Sequence, residues 1–322
     1  MRKVFSVIIV LALTACGSDG DPTGSNGNGG GTATNIAAVS GGSQRVAAGV
    51  EFLAPLVVRV TNAQGGGASG VTVAWSVTAG GATLSSNTTT SGGNGETSVR
   101  LTAGAGAGEI TVSATAAGLS GSPVSFDARA VTASAVAVTG GNMQSGRTSQ
   151  SLAQALAVRV TAADGGPVPG ATVTWAVTAG GGALSAATTT TDGDGRTSAN
   201  LTLGGAVGQN TVTATAGATA QFSATATAPV SVRVDMLNIA FVAPGGGDQV
   251  TIMLGDTVLW INQDNVQHTA TSASVPAGAS GFASGLLNQG GSFSFVPTRR
   301  GDWVYFCEVH PAQMQGAIIT VQ

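Results

Sequence analysis

The chain has 322 residues, of which only 8% are charged and 4% aromatic, while its 50 glycines are about twice the ordinary share. A mixture rich in Val, Thr, Ser and Gly favours short strands joined by turns, and it excludes long coiled coils and highly charged disordered chains. The formal net charge is −3, and Lys3 is the only lysine, so too few cations are present to grip a phosphate backbone and nucleic acid is excluded as a partner.

Arg2 and Lys3 precede an apolar run over residues 4–13, then Thr14, Ala15 and Cys16. A charged start followed by a run too short to span a bilayer predicts a secretory signal over residues 1–15. The ending Leu13-Thr14-Ala15-Cys16 resembles the lipobox of bacterial lipoproteins. That resemblance implies that Cys16 becomes the acylated first residue of an exported protein held to the membrane. No Asp follows Cys16, which in that family points to outer-membrane anchoring, facing the periplasm or the cell surface. After Cys16, residues 17–35 are Gly, Ser, Asn, Asp and Thr with one Pro and one Ala and no periodicity, and residues 16–35 read as a tether.

A repeat follows at an offset of 100 residues. Val58-Arg59-Val60-Thr61 returns as Val158-Arg159-Val160-Thr161, and Trp75 returns as Trp175. Each copy alternates apolar and polar residues, as in Val71-Thr72-Val73-Ala74-Trp75-Ser76-Val77, and Gly-rich turns recur at short intervals. That is the pattern of a β-sandwich. Residues 36–130 and 131–228 thus read as two sandwich units. They resemble bacterial Ig-like domains of the invasin and intimin type, on the Val-x-Trp-x-Val strand and the turns at residues 94–98 and 194–198. The resemblance implies a spacer or an adhesive surface. Asp192-Gly193-Asp194-Gly195 has the look of a calcium loop, but it lacks the remaining oxygen ligands and the first copy has no carboxylate there. It reads as a hairpin turn.

Composition shifts at residues 229–322, which hold eight of the fourteen aromatics, both histidines and the second cysteine. With Cys16 acylated, Cys307 has no disulfide partner in the chain, and a metal would occupy its sulfur. Cys307, His310 and Met314 form Cys-x2-His-x3-Met on one short segment, and His268 arrives from 39 residues upstream. Two imidazoles, a thiolate and a thioether are the ligand set of a trigonal copper site with a weak axial Met. Zinc fits less well, because Met is not among its usual ligands. Strand alternation puts Trp303, Tyr305 and Cys307 on one face, so the sulfur lies in an apolar shell.

These residues resemble the cupredoxins, the blue copper proteins of the plastocyanin and amicyanin type. The carrying features are Gly255-Asp256-Thr257-Val258, Trp260-x-Asn262-x-Asp264, His268-Thr269 and Cys307-x-x-His310-Pro311. The resemblance implies His268, Cys307 and His310 as equatorial copper ligands, Met314 as the axial one, and Thr269 as an N–H donor to the Cys307 sulfur. Three residues separate His310 from Met314, between the two of amicyanin and the four of plastocyanin, which leaves Gln313 or Gln315 open as axial oxygen donors.

No Gly-x-x-x-x-Gly-Lys-Ser/Thr, His-Glu-x-x-His or Cys-x-x-Cys-His segment occurs, and two histidines are too few for the extra centres of multicopper oxidases. The sequence therefore predicts an all-β protein: two tandem Ig-like sandwiches, then a cupredoxin Greek-key sandwich. The expected function is a membrane-anchored carrier of single electrons with one type I copper, serving a redox partner protein in the envelope. His310 is the expected electron exit, with Pro311 and Ala312 as a landing patch and Phe306 as a second exit. An adhesive protein with an accessory copper domain and an envelope copper-binding protein are the competing readings.

Overall fold

The computed structural model describes residues 31–322, so the expected leader and Cys16 lie outside the described residues. All regular structure among the described residues is β. In the first unit a three-stranded sheet, ordered Ala33–Ser40, Leu56–Asn62, Glu96–Val99, shares a core with a five-stranded one. The latter is ordered Gln44–Ala47, Val124–Val131, Gly108–Thr115, Thr72–Ala79, Thr88–Thr90. Alternation does the sorting: along Thr72–Ala79, Val73 and Trp75 are buried while Thr72, Ala74 and Ser76 face water. The second unit repeats both strand orders, from Ala135–Gly140 to Ala218–Thr227.

Each repeat closes around its tryptophan. Trp75 Nε1 donates to Thr89 Oγ1 and Trp175 Nε1 to Thr189 Oγ1, both at 2.8 Å, which satisfies a polar atom that burial would otherwise strand. Phe126 and Phe222 pack on the indoles at 6.0 and 5.9 Å. Sequence alone leaves Phe52, Phe126 and Phe222 as isolated aromatics; all three are core residues. The first strand begins at Ala33, three residues inside the segment assigned to the tether, because Ala33 pairs with Asn62 and packs on the core. Residues 192–195 form a tight turn in which Asp192 Oδ1 accepts the N–H of Asp194 and of Arg196, and Gly195 adopts φ 75° against the Val160 carbonyl.

The third unit has two four-stranded sheets. One is ordered Phe241–Val242, Ser231–Met236, Thr257–Asn262, Ser292–Phe295, and the other Gln249–Ile252, Ala317–Val321, Gly301–Phe306, Thr271–Ser274. Between them lies an aromatic core. Trp260 packs on Phe282, Phe293 and Tyr305 at 5.3 to 5.7 Å, and Trp303 on Phe295 at 5.2 Å.

Charged clasps join the units. Asp164 of the second unit takes Arg45 at 3.0 Å and Arg129 at 3.2 Å from the first, and Ala47 and Val131 enter the second unit's core. Between the second and third units, Arg147 places Nη2 2.9 Å from Asp256 Oδ2 and Nε 2.6 Å from Oδ1. The Asp256 side chain is 1% exposed and also accepts the N–H of Val230 and Met253. Burial pushes the Asp256 carboxyl up, but Arg147 and the two N–H groups outweigh it and hold the pKa below the usual carboxylate range. Arg300 adds a bond to the Ser151 carbonyl at 2.6 Å.

Arg147→Ala leaves a buried carboxylate without its cation, and a loss of about 3 kcal/mol is expected in denaturant unfolding of the third unit near neutral pH. Because the folded pKa is the lower one, the penalty is full above the ordinary carboxylate value of about 3.9 and fades as pH falls through the folded value. Equal unfolding midpoints for variant and parent at neutral pH would contradict the clasp.

Candidate metal centre

The site is assembled at the opposite end of the strands that start beside the Arg147 clasp. Thr257–Asn262 starts beside Asp256, and Gly301–Phe306 starts beside Arg300; both run to the site. Six residues of strand span about 20 Å. At the far end Gly301–Phe306 delivers Cys307, which is fully buried, as are Trp303 and Tyr305 on the same face. Val304 and Phe306, on the other face, are half-buried. Burial pushes the Tyr305 phenol far above its ordinary pKa, so it stays protonated beside the site strand.

The segment after Cys307 folds back on itself. The Cys307 N–H donates to the Met314 carbonyl and the Met314 N–H to the His310 carbonyl, each at 2.9 Å. This single turn sets His310 half-buried and Met314 in the core cluster that holds Cys307. Gln313 and Gln315 are exposed, as are Pro311 and Ala312. Of the three axial candidates, only Met314 points its side chain into the interior.

His268 lies in the loop that leaves Thr257–Asn262 of the other sheet, and Asn262 organises that loop. Buried Asn262 donates from Nδ2 to the carbonyls of Val266 at 2.7 Å and Leu287 at 2.8 Å, and accepts the Asp264 N–H at 2.8 Å. Backbone bonds in both directions between His268 and Leu287 then fix the ligand residue. His268 is fully buried, and its Nε2 lies 2.9 Å from Asp264 Oδ2. A carboxylate there accepts a hydrogen bond from Nε2–H, which selects the tautomer with a lone pair on Nδ1. Burial pushes the Asp264 carboxyl up, but the N–H groups of Ile239 and Asn238, then the His268 ring, hold it below the usual range.

The donor atoms converge. His268 Nδ1 is 3.7 Å from Cys307 Sγ, His310 Nδ1 is 3.8 Å from the same sulfur, and the two nitrogens are 3.2 Å apart. The point equidistant from all three lies about 2.1 Å from each, within the ~2.0–2.3 Å span of metal bonds to imidazole nitrogen and thiolate sulfur. The Thr269 N–H approaches Sγ at 3.3 Å, and Thr269 Oγ1 accepts the Glu308 N–H at 2.8 Å, tying the two ligand segments together. Two buried donors and a half-buried one, all soft or borderline, around one point, with a thioether-bearing side chain in the same core, fit a transition-metal ion by the chemistry of the donor set. Sequence reasoning did not find the work of Asn262 and Asp264 as loop organiser and ring anchor. Their spacing ahead of His268 was visible, but two polar residues before a loop look like solvent-facing turn residues.

Comparison with known proteins gives matches to both kinds of unit. Residues 148–231 match the family described as bacterial Ig-like domain (group 1). Amicyanin of Paracoccus denitrificans is 25% identical over 115 residues, which is 36% of this chain and 84% of that protein. Among solved structures, the D0-D1 domain of intimin matches at 24% identity, covering 60% of this chain and 95% of its own, with a TM-score of 0.27. A mutant amicyanin in the Cu(I) state matches at 22% identity over 29% of this chain and 82% of its own, with a TM-score of 0.25. The chain combines Ig-like and cupredoxin-like similarity.

Asn262→Leu keeps the volume but strips the Val266 carbonyl and the Asp264 N–H of their side-chain partner, while the Leu287 carbonyl keeps the His268 N–H. At about 1–3 kcal/mol for each group left unpaired, a loss of roughly 2 kcal/mol or more is expected in chemical denaturation. A variant as stable as the parent would show that the loop holds His268 without this residue.

Proposed function

We propose that the protein is a copper electron carrier of the cell envelope, held to the membrane by a lipid on Cys16, with the two Ig-like units as its stalk. The observation that carries this reading is the convergence of His268 Nδ1, Cys307 Sγ and His310 Nδ1 at mutual distances of 3.2 to 3.8 Å in a buried, aromatic-lined site. Similarity to amicyanin, a copper protein, over most of that protein's length supports the choice of metal. Bound there, copper supplies a one-electron couple, and two imidazoles with a thiolate and a thioether suit both of its common oxidation states.

The residues divide the work. His268, Cys307 and His310 are the equatorial ligands in this proposal, and buried Met314 is the axial one. Thr269 gives the sulfur a hydrogen bond that spreads its negative charge. His310, half-buried, brings a ring edge toward the surface beside exposed Val309, Pro311 and Ala312, with Val266 and Leu286 exposed on the His268 side. An apolar rim of this kind suits a small, weak encounter with a redox partner protein. Phe306, next to Cys307 on the other strand face, is the second exit proposed. The stalk meets the third unit at Asp256, so the rim stays uncovered. Outer-membrane anchoring belongs to the same proposal.

The full chain is refilled with Cu(II) and examined by visible absorption and electron paramagnetic resonance beside Cys307→Ser. An intense thiolate-to-copper band with narrow hyperfine splitting is expected in the parent and a loss of the band in the variant. Copper bound without the band would favour a storage role, and no copper uptake would leave adhesion as the better reading.

A further inference from the structure

The turn that follows Ser231–Met236 contains two successive residues in the left-handed region, Asn238 and Ile239, each at φ 55°. Neither is glycine, and a β-branched residue is rarely found there. Among the described residues no other pair of successive non-glycine residues does this. Such strain persists only where neighbours impose it, and here the neighbour is Asp264. Successive N–H groups in this conformation form a concave cradle for an anion. The Asn238 N–H donates to Asp264 Oδ1 at 2.8 Å and the Ile239 N–H to Oδ2 at 2.9 Å. The same Oδ2 lies 2.9 Å from His268 Nε2. One carboxylate oxygen therefore serves both a strained turn and a ring that faces the metal centre.

We propose that the Asn238–Ile239 turn is a positioning element that tunes the metal centre: the Ile239 N–H competes with His268 for Asp264 Oδ2 and so sets the donor strength of His268 Nδ1. This rests on the copper reading above. A carboxylate oxygen that also accepts a backbone N–H is a weaker acceptor for the imidazole proton. With that N–H removed, Oδ2 draws more strongly on the Nε2 proton, the ring gains imidazolate character, and Nδ1 becomes the better donor. A stronger nitrogen donor favours Cu(II) over Cu(I), so the reduction potential falls. The turn acts on the metal through two intervening groups and touches it nowhere.

The test uses the full, copper-loaded chain with Ile239 replaced by its α-hydroxy acid analogue. This turns the Asn238–Ile239 peptide bond into an ester, which removes the Ile239 N–H and keeps its side chain. Ile239→Gly, which keeps the N–H and relieves the positive φ, is the control. The ester is expected to favour Cu(II) over Cu(I) by three- to tenfold, a tenfold change being 59 mV for one electron. The His268 Nε2 proton of its Cu(I) form should move downfield, and Ile239→Gly should match the parent in both readouts. A blue ester protein with an unchanged or raised potential overturns the tuning role and leaves the copper reading intact. A parent without the blue band overturns the copper reading, and the tuning role with it. Should the ester not fold, the parent itself decides. Between apo and Cu(I) forms, the His268 Nε2 proton must move downfield and the Ile239 amide proton upfield, and shifts of the same sense overturn the proposal.

Discussion

Everything in the third unit depends on bringing one sulfur, out of water, within bonding reach of two imidazole nitrogens. Three such groups facing each other in a dry interior have poor partners among themselves, so the fold must hold them against relaxation. Rigidity comes from three directions. The aromatic core around Trp260 and Tyr305 fixes the strand that carries Cys307. The closed turn from Cys307 to Met314 fixes His310 relative to the sulfur. Asn262 and Asp264, with both oxygen-bearing side chains turned inward, fix the loop and the ring of His268. The Thr269 hydroxyl then ties one ligand segment to the other through Glu308.

The clasps extend that rigidity outward. Asp164 gathers two arginines from the first unit, and Asp256 receives one from the second. Asp256 also caps its own turn through Met253 and holds the start of the unit through Val230, so the residue just before the strand toward His268 is the one that fastens the third unit to its neighbour. Surface ion pairs contribute little, whereas a pair buried this fully is strongly destabilising to break. The strands that start beside this clasp end at the site, so the site lies at the opposite end of the third unit.

The alternating repeats were legible because apolar residues at period two, with Trp75 returning as Trp175, mark strands with one buried face. The candidate ligand residues stood out because the chain has so few of the right type: two histidines, Cys307 and a methionine close by. Other features left no periodic mark. Arg147 and Asp256 are 109 residues apart, and nothing in either local pattern points to the other. The left-handed pair at 238–239 was hidden because neither residue is glycine, the usual sign of positive φ. The early start of the first strand was masked by the polar run before Ala33.

The most direct test of the copper centre is X-ray absorption at the copper edge on the full chain, in both oxidation states. The account predicts one short sulfur and two nitrogen scatterers around copper, changing little in distance on reduction because the loops hold the donors in place. A shell of nitrogen and oxygen alone, or one that rearranges on reduction, would contradict it.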